Sequence, residues 1–384
     1  MGLLLITIGL TIFVSCSEEP EAPAENERLI LIYAVASNNL DYYLRWDMQE
    51  ILDAAPRLDL KNNKVLVYSV NASSECTIKE LVRDSDSEDF EFKVIYKFDD
   101  EPLSTTSSRM KEVMEYVSTN YSYQRYGLVL WSHASGWVYW PNPEMKKASN
   151  RKAFGMDNYN GSTYELNITD LAEAIPDNMF DFIWFDCCYM GNIETVYQLR
   201  NKATYVIGSV MEINNPGAPY DLIMPSLLKK NADLNKAAAQ FFEYYNSGRS
   251  GYPAIASISV MNTANLSELA DASRDVFRNY SPGNMQNVQD YSRYEQKIDG
   301  TRRFFPFYDL GQYLQNFDGL DMRNRERVKR ALDDVVEYKA ITTRDFKNQT
   351  INVEEYSGLS VHDYTGTGYF DDYYQSLDWY KATR

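Results

Sequence analysis

The strongest indication of the fold is an apolar run that ends abruptly in polar residues, Phe182-Ile183-Trp184-Phe185-Asp186-Cys187-Cys188-Tyr189-Met190-Gly191. The run has the length of a strand, and a helix-like stretch follows it at 192–199. An uninterrupted apolar strand before a helix is typical of a buried parallel strand. The carboxyl edge of a parallel sheet is where open α/β folds place their chemistry. A thiol at that edge would also lie near a helix N-terminus, whose dipole favours the thiolate.

A second segment has the same design, namely Leu128-Val129-Leu130-Trp131-Ser132-His133-Ala134-Ser135-Gly136-Trp137. Here the apolar strand ends in His133, one of only two histidines in the chain. A cysteine and a histidine at neighbouring strand ends are the components of a cysteine nucleophile with its acid/base partner. The other histidine, His362, also follows an apolar run, so spacing alone does not exclude it.

Each of these residues also has a purely structural interpretation. A cysteine is most often a small buried hydrophobe, and a histidine at a strand end can simply be a satisfied polar group. Alternation along an extended chain would put Asp186 and Cys188 on one side and Cys187 on the other. Asp186 is more simply explained as a helix cap than as a carboxylate that pairs with a basic substrate side chain. The residues alone therefore leave open whether a cysteine is catalytic, and which one.

The hydrophobic pattern along the chain predicts strands that alternate with helices. Parallel core strands are predicted at 29–36, 64–70, 127–132, 180–185 and 204–210, and an edge hairpin at 76–82 and 90–98. A long surface loop is predicted at 140–160, and later strands at 254–260 and 356–361. The pattern indicates an α/β fold, with a mostly parallel sheet between two layers of helices. We expect the core sheet within 28–220 and a helical C-terminal part, 221–384, packed on it.

Composition excludes several classes of protein. The chain has 384 residues, a formal net charge of −17 and a pI of about 4.7, which argues against a nucleic-acid-binding protein. Two histidines and an adjacent cysteine pair cannot supply a recognisable zinc site, and no glycine-rich phosphate loop is present. Few cysteines, two of them adjacent, do not make a disulfide framework.

The N-terminal segment predicts export. Residues 3–15 are almost wholly apolar, too short to span a bilayer, and end at Cys16 after a small residue. We expect 1–15 to be a lipoprotein signal, Cys16 to be acylated, and 16–27 to be an acidic tether to the folded domain, 28–384. The protein would then be anchored through lipid to the outer or plasma membrane, at the cell surface or in the periplasm. A plain cleaved secretion signal is the alternative.

The two motifs together resemble those of the clostripain-like cysteine peptidases, relatives of caspases, gingipains and legumain. The histidine motif of that family is a strand followed by Ser-His-Gly, and its cysteine motif is a strand followed by Asp-Ala-Cys-Leu-Met-Gly. Aligning the Asp and the Met-Gly puts the nucleophile at Cys188 and leaves Cys187 in place of the small residue. Further similarity lies in Asn38-Asn39-Leu40, Gly208-Ser209, Pro216-Gly217-Ala218-Pro219-Tyr220 and Gly358-Leu359-Ser360.

This resemblance implies a caspase-like α/β/α sandwich and cleavage of protein or peptide substrates after Arg or Lys. Cys188 would attack the scissile carbonyl, and His133 would assist thiolate formation and protonate the leaving amine. The backbone N–H groups of Ala134 and Cys188 would form the oxyanion hole. Asp186 and Ser209 would belong to the pocket for the basic side chain. No cofactor is implied for the chemistry, although some relatives need calcium.

Relatives often mature by a cut in the loop after the histidine strand. The basic residues of that loop here are Lys146, Lys147, Arg151 and Lys152. Two departures from the family stand out: Ala134 replaces the usual glycine, and 211–215 is less acidic than expected. They support an alternative, an inactive surface-binding lipoprotein that keeps the fold. A thiol redox protein that uses both adjacent cysteines is disfavoured, because adjacent cysteines form a strained bridge.

Overall fold

The computed structural model describes residues 26–70, 75–99, 103–138, 154–291, 294–298, 301–305, 307–364 and 371–384. Several predictions lie outside these ranges: the signal at 1–15, Cys16, most of the tether, and the basic loop with Lys146, Lys147, Arg151 and Lys152. These stay predictions. No helix in the described ranges has the length and apolar character needed to cross a membrane.

Strands and helices alternate through the first half of the chain. The strands are β1 (Arg28–Val35), β2 (Asn63–Val70), β3 (Cys76–Arg83), β4 (Phe90–Phe98), β5 (Arg125–Trp131), β6 (Phe154–Tyr159), β7 (Ser162–Leu166), β8 (Phe180–Asp186), β9 (Ala203–Gly208), β10 (Ser257–Asn262), β11 (Ser281–Pro282), β12 (Tyr294–Ile298), β13 (Thr301–Phe305), β14 (Tyr308–Asp309), β15 (Phe317–Asp318), β16 (Val336–Ile341) and β17 (Ser360–Val361). The α-helices are α1 (Asp41–Ala54), α2 (Ser107–Asn120), α3 (Ile168–Ala174), α4 (Ile193–Gln198), α5 (Tyr220–Leu227), α6 (Leu234–Asn246), α7 (Leu266–Asn279), α8 (Leu310–Gln315), α9 (Met322–Val335), α10 (Asp371–Ser376) and α11 (Asp378–Thr383).

Nine of the described strands form one central sheet in the order β16-β10-β9-β8-β5-β1-β2-β3-β4. The strands from β9 to β2 run parallel, and the pairs at both edges are antiparallel. The predicted core strands and the edge hairpin are therefore confirmed. Strands β5 and β8 are neighbours whose last residues, Trp131 and Asp186, are in register. The segments that follow them consequently leave the sheet side by side.

Burial on both faces explains why the central strands are continuously apolar. Every residue of β1 is buried, and its side chains alternate between two packed layers. Leu31 and Tyr33 contact the layer that contains helices α2, α3, α4, α7 and α9. Ile30 and Ile32 contact the layer that contains α1, α5 and α6. A sheet that is covered on both faces needs apolar residues at successive positions, and the result is the predicted α/β/α sandwich.

The C-terminal part contributes more to the sheet than the sequence indicated. Strands β10 and β16 extend the sheet beyond residue 220, next to β9. Along β16 every second residue is exposed. This pattern is also compatible with a continuation of the preceding helix, so the sequence did not reveal the strand. The predicted strand at 356–361 is reduced to β17, which pairs with β14 outside the central sheet.

The predicted loop at 140–160 is wrong at its end, where β6 forms a hairpin with β7. This strand contains a glycine and polar residues, so its sequence carries little strand signal. Its buried Asp157 accepts hydrogen bonds from the backbone N–H groups of Ser104 and Thr105, at 2.6 Å and 2.9 Å. Long-range bonds of this kind stabilise a strand that local pattern cannot reveal.

Candidate active site

A cleft of about 810 Å³ opens where the chain leaves β5 and β8. His133 and Ala134 line it from the loop after β5, and Cys188 lines it from the loop after β8. The remaining lining residues are Ser135, Met156, Thr163, Glu165, Tyr189, Glu212, Ile213, Asn214, Asn215, Tyr252, Pro253 and Phe346. The site therefore lies at the carboxyl edge of the parallel strands, as the motifs predicted.

The two adjacent cysteines have different environments. Cys188 is partly buried in the cleft wall, and its Sγ accepts a hydrogen bond from the Ile213 N–H at 3.5 Å. Burial raises the pKa of Cys188 to about 12. Cys187 is fully buried in the layer that contains α4, and its Sγ donates to the carbonyl of Leu130 at 3.0 Å. Cys76 is also buried, so Cys188 is the thiol of the described residues that reaches the cleft.

Asn39 orients the imidazole of His133. The Nε2 atom of His133 lies 2.8 Å from Asn39 Oδ1, just before helix α1 begins. Because an amide oxygen can only accept, this contact assigns the ring proton to Nε2. Nδ1 is then the basic nitrogen, and it has no hydrogen-bond partner in the described ranges. Burial lowers the pKa of His133, which favours the neutral ring that a general base requires.

The second histidine lies away from the cleft. The backbone N–H of His362 donates to Glu194 at 2.8 Å, and its ring packs 4.8 Å from Trp137 and 5.2 Å from Tyr374. Glu194 is buried in α4, directly after the cysteine loop, and also accepts from the Tyr374 hydroxyl at 2.9 Å. His362 therefore belongs to the packing of the C-terminal segment against the two loops.

Hydrogen bonds from distant segments hold the histidine loop. The Ser132 hydroxyl donates to the carbonyl of Val35 at 2.8 Å, and the Gly155 N–H donates to the carbonyl of His133 at 3.0 Å. Gly136 has φ +70°, and a Cβ there would lie 2.9 Å from Asn192 Nδ2. The close approach of the two loops therefore requires glycine at this position.

The cysteine loop is equally constrained. Tyr189 adopts a left-handed conformation with φ +61°, which is uncommon for an aromatic residue. Its N–H donates to Met211 at 3.1 Å, and its carbonyl accepts from the buried side chain of Asn192 at 2.7 Å. The Gly191 N–H donates to the carbonyl of Ser209 at 2.7 Å. These bonds connect the Cys188 loop to the 209–211 segment and fix the direction in which the thiol projects.

Asp186 and Ser209 lie beneath the cleft and not in its wall. Asp186 Oδ2 accepts from the Ala218 N–H at 3.0 Å and from the Tyr220 hydroxyl at 2.9 Å. Ser209 is buried, with its hydroxyl 2.6 Å from that of Ser257. Asp186 and Cys187 face opposite sides of the sheet, as alternation predicted, because Cys187 is buried in the layer of α4 whereas Asp186 contacts Ala218 and Tyr220 in the layer of α5. Oδ1 of Asp186 is buried and has no hydrogen-bond partner among the described residues, and the roles of Asp186 and Ser209 in binding a basic side chain stay predictions.

The carboxylates that do line the cleft are Glu165 and Glu212. Neither was selected as a site residue from the sequence. Glu212 lies in the 211–215 segment, which is held by the Tyr189 N–H, and its charge contributes to the raised pKa of Cys188. Glu165 lies in β7, whose weak sequence signal hid the hairpin. In the described ranges, no group of three or more His, Cys, Asp and Glu residues could hold a metal ion.

Asp186 shapes the cleft indirectly. Burial raises its pKa to about 6, while its two hydrogen bonds act in the opposite direction. A Cβ at Gly217, which has φ +69°, would lie 2.6 Å from Asp186 Oδ2. The turn 216–219 therefore wraps closely around this carboxylate, and the turn supports the cleft wall at Asn214 and Asn215.

Comparison with known sequences gives a match to one family over most of the chain. The sequence profile of the clostripain family matches residues 32–384. Clostripain of Hathewaya histolytica is 23% identical in an alignment 381 positions long, which covers 91% of this chain but only 62% of that protein. The chain thus spans less than two thirds of the length of this relative.

Solved structures show the same fold. A secreted C11 cysteine protease from Bacteroides thetaiotaomicron, in complex with an irreversible peptide inhibitor, superposes with a TM-score of 0.78 at 28% identity, covering 93% of this chain and 99% of that one. An inactive zymogen C11 protease from Parabacteroides distasonis has a TM-score of 0.77 at 27% identity, covering 94% and 99%. With the family match over nearly the whole chain, the protein belongs to the clostripain family of cysteine peptidases.

Proposed function

We propose that the protein is a cysteine endopeptidase that cleaves after Arg or Lys, with Cys188 as nucleophile and His133 as acid/base. One observation carries the proposal: these two side chains line the same cleft from adjacent parallel strands, whereas Cys187 and His362 are packed elsewhere. The peptide-inhibitor complex of the Bacteroides relative supports a peptide-binding role for this cleft.

The proposed chemistry starts from a neutral pair. The raised pKa of Cys188 and the lowered pKa of His133 both disfavour an ion pair before substrate binds. As Sγ attacks the scissile carbonyl, Nδ1 of His133 takes the thiol proton and later delivers it to the leaving amine. The N–H groups of Ala134 and Cys188 stabilise the oxyanion, and water then hydrolyses the thioester. No cofactor enters these steps.

We propose that Glu212 provides the negative charge for the Arg or Lys side chain. It lines the cleft with Cys188, and no salt bridge or hydrogen bond of its carboxylate is found among the described residues. An Arg or Lys side chain would supply the missing partner. Asp186 supports this pocket from beneath, through the turn that it holds.

Covalent labelling tests the proposed function. A peptide electrophile with Arg or Lys at its reactive end should modify the purified protein at Cys188 and leave Cys187 and Cys76 unmodified, because the latter two are buried. Peptide mapping by mass spectrometry gives the site. The same peptide with Ser at its end is the control and should label far more slowly. Absence of labelling would support the alternative of an inactive binding protein.

Asn39 provides a test of how His133 is positioned. Replacing Asn39 by Ala removes the acceptor for Nε2–H, so we expect kcat to fall about tenfold with little change in KM. Asn39→Asp keeps the acceptor and adds a negative charge, which raises the pKa of His133. Activity requires the neutral ring, so it is lost as the pH falls through that pKa. The acid limb of the kcat/KM profile should therefore move to higher pH. Identical pH profiles for both variants and the parent would contradict this role.

We further propose export with a lipid anchor at Cys16 and self-cleavage in the 144–153 loop. The Bacteroides relative is described as secreted, which supports export, and the Parabacteroides relative as an inactive zymogen, which supports processing. The loop contains Lys146, Lys147, Arg151 and Lys152, each a candidate for a peptidase that cuts after basic residues.

A further inference from the structure

A group of exposed aromatic side chains covers the first turns of helix α1. Tyr42 is 59% exposed and Trp46 is 46% exposed, and their rings meet nearly at right angles, 6.1 Å apart. Tyr43 adds a second edge-to-face contact with Tyr42 at 5.6 Å. We call Tyr42, Tyr43 and Trp46 the aromatic patch. Large aromatic residues that cluster on a surface usually mark a binding site, because their burial in the protein's own core would be favourable.

The core does not use this side of the helix. The residues of α1 that are buried against the sheet are Leu44, Asp47, Ile51 and Ala54. Tyr42 and Trp46 are four positions apart, so they share one outward-facing stripe of the helix. Tyr43 packs partly against the same core, but Tyr42 and Trp46 are exposed, so these two rings are additional to the packing that holds α1 in place.

The patch lies close along the chain to the residue that binds His133. Helix α1 begins two residues after Asn39, which is bound to His133. Tyr252 lines the cleft, and its pKa is raised first by burial and then by Tyr43 and Tyr42. Trp46 follows Asn39 by seven positions, roughly 10 Å along the helix, which an extended peptide covers in about three residues.

We propose that the aromatic patch is a distal substrate subsite, which takes an aromatic or large aliphatic side chain of an extended polypeptide. The side chain would lie about three to five residues from the cleaved bond. This inference rests on the proposed peptidase function and narrows its substrates to chains that carry such a residue at that distance. The exposed faces and edges of these two rings can make edge-to-face contacts with a further aromatic ring.

The test compares long and short substrates. A series of peptides with one Arg carries a single Phe, moved through positions two to six on either side of the cleaved bond, and a matched peptide has Ser instead. We expect one position of Phe to raise kcat/KM over the Ser peptide. In the Tyr42→Ala/Trp46→Ala protein, the ratio of kcat/KM for that peptide to kcat/KM for a short Arg reporter should fall about tenfold.

The matched control is Tyr96→Ala, which removes a similarly exposed ring from β4 at the far edge of the sheet. In this variant, the ratio of kcat/KM for the Phe peptide to kcat/KM for the short Arg reporter should equal the ratio in the parent. Equal ratios in the parent and the double variant would overturn the subsite. If the parent cleaves no reporter, the proposed function fails, and the subsite is tested separately by titrating the Phe and Ser peptides into the Cys188→Ala protein. Equal affinity for both peptides would then overturn it.

Discussion

Replacing Cys188 by Ala is expected to reduce cleavage of Arg and Lys reporter peptides by at least about 10⁴-fold, since it removes the only atom proposed to attack the carbonyl. The adjacent Cys187→Ala protein is the matched control. Cys187 is fully buried and its thiol donates to a strand carbonyl, so this variant should lose about 1–2 kcal/mol of stability while keeping its activity. Steady-state kinetics on both variants, with thermal unfolding to confirm folding, measures the contrast.

The same pair of variants separates the competing interpretations. Cleavage by the Cys188→Ala protein at the parent rate would refute the peptidase mechanism. Loss of activity in the Cys187→Ala protein alone would reverse the assignment of the nucleophile. The intact mass gives an independent readout, because the parent should be cut between Glu144 and Ala153 and the Cys188→Ala protein should remain whole. Two uncut chains would end the self-processing proposal without affecting the dyad.

Replacing Glu212 by Gln is expected to lower kcat/KM for Arg and Lys reporters about 100-fold, because the substrate cation loses its partner in a partly desolvated pocket. The thiol should respond in the opposite direction. The charge of Glu212 helps to raise the pKa of Cys188, so its removal should make the thiol more acidic. Alkylation of Cys188 by a small uncharged reagent at neutral pH should therefore be faster in this variant, although cleavage of basic peptides is slower.

Two further variants locate the charge that selects the substrate. Glu165→Gln removes the other carboxylate of the cleft wall and should change kcat/KM by less than about fivefold. If only Glu165→Gln lowers kcat/KM for basic reporters, Glu165, on the β6–β7 side of the cleft, is the carboxylate that binds the substrate cation. If only Asp186→Asn lowers kcat/KM and both glutamate variants are unchanged, Asp186 is the carboxylate that binds the substrate cation. Oδ2 of Asp186 is occupied by Ala218 and Tyr220, whereas its buried Oδ1 has no hydrogen-bond partner among the described residues, so Asp186→Asn directly tests the expectation that Asp186 binds the basic side chain.

The selectivity of the site depends on contacts between loops that are distant in sequence. Cys188 accepts from Ile213, Tyr189 donates to Met211, and His133 is bound to Asn39. A substitution that shifts any of these loops would change the positions of the thiol and the imidazole together. Positions that differ by about 1 Å can cost an enzyme 100-fold in rate.

The local pattern of the chain was sufficient for the class of fold, and together with the family motifs it gave the two side chains that we propose as catalytic. Apolar runs of strand length identified the parallel core, since a strand that is covered on both faces must be apolar at every position. The ends of β5 and β8 then directed attention to His133 and Cys188, and the family motifs selected Cys188 over Cys187. The structure and its solved relatives confirm the predicted fold, and the side chains of His133 and Cys188 line one cleft.

The pocket around those side chains depends on where separate segments meet. Asp186 faces the layer of α5 and Cys187 the layer of α4, as alternation predicted, but the partners of Asp186, Ala218 and Tyr220, come from a distant segment. Glu212 lines the cleft and Asn39 contacts His133 because long-range hydrogen bonds and packing place their segments beside the two strand ends. The spacing of hydrophobic residues is a property of neighbouring positions, so it can be recognised in the sequence itself. Convergence of side chains from distant segments is a property of the packed molecule, and it appears only when the layers are assembled.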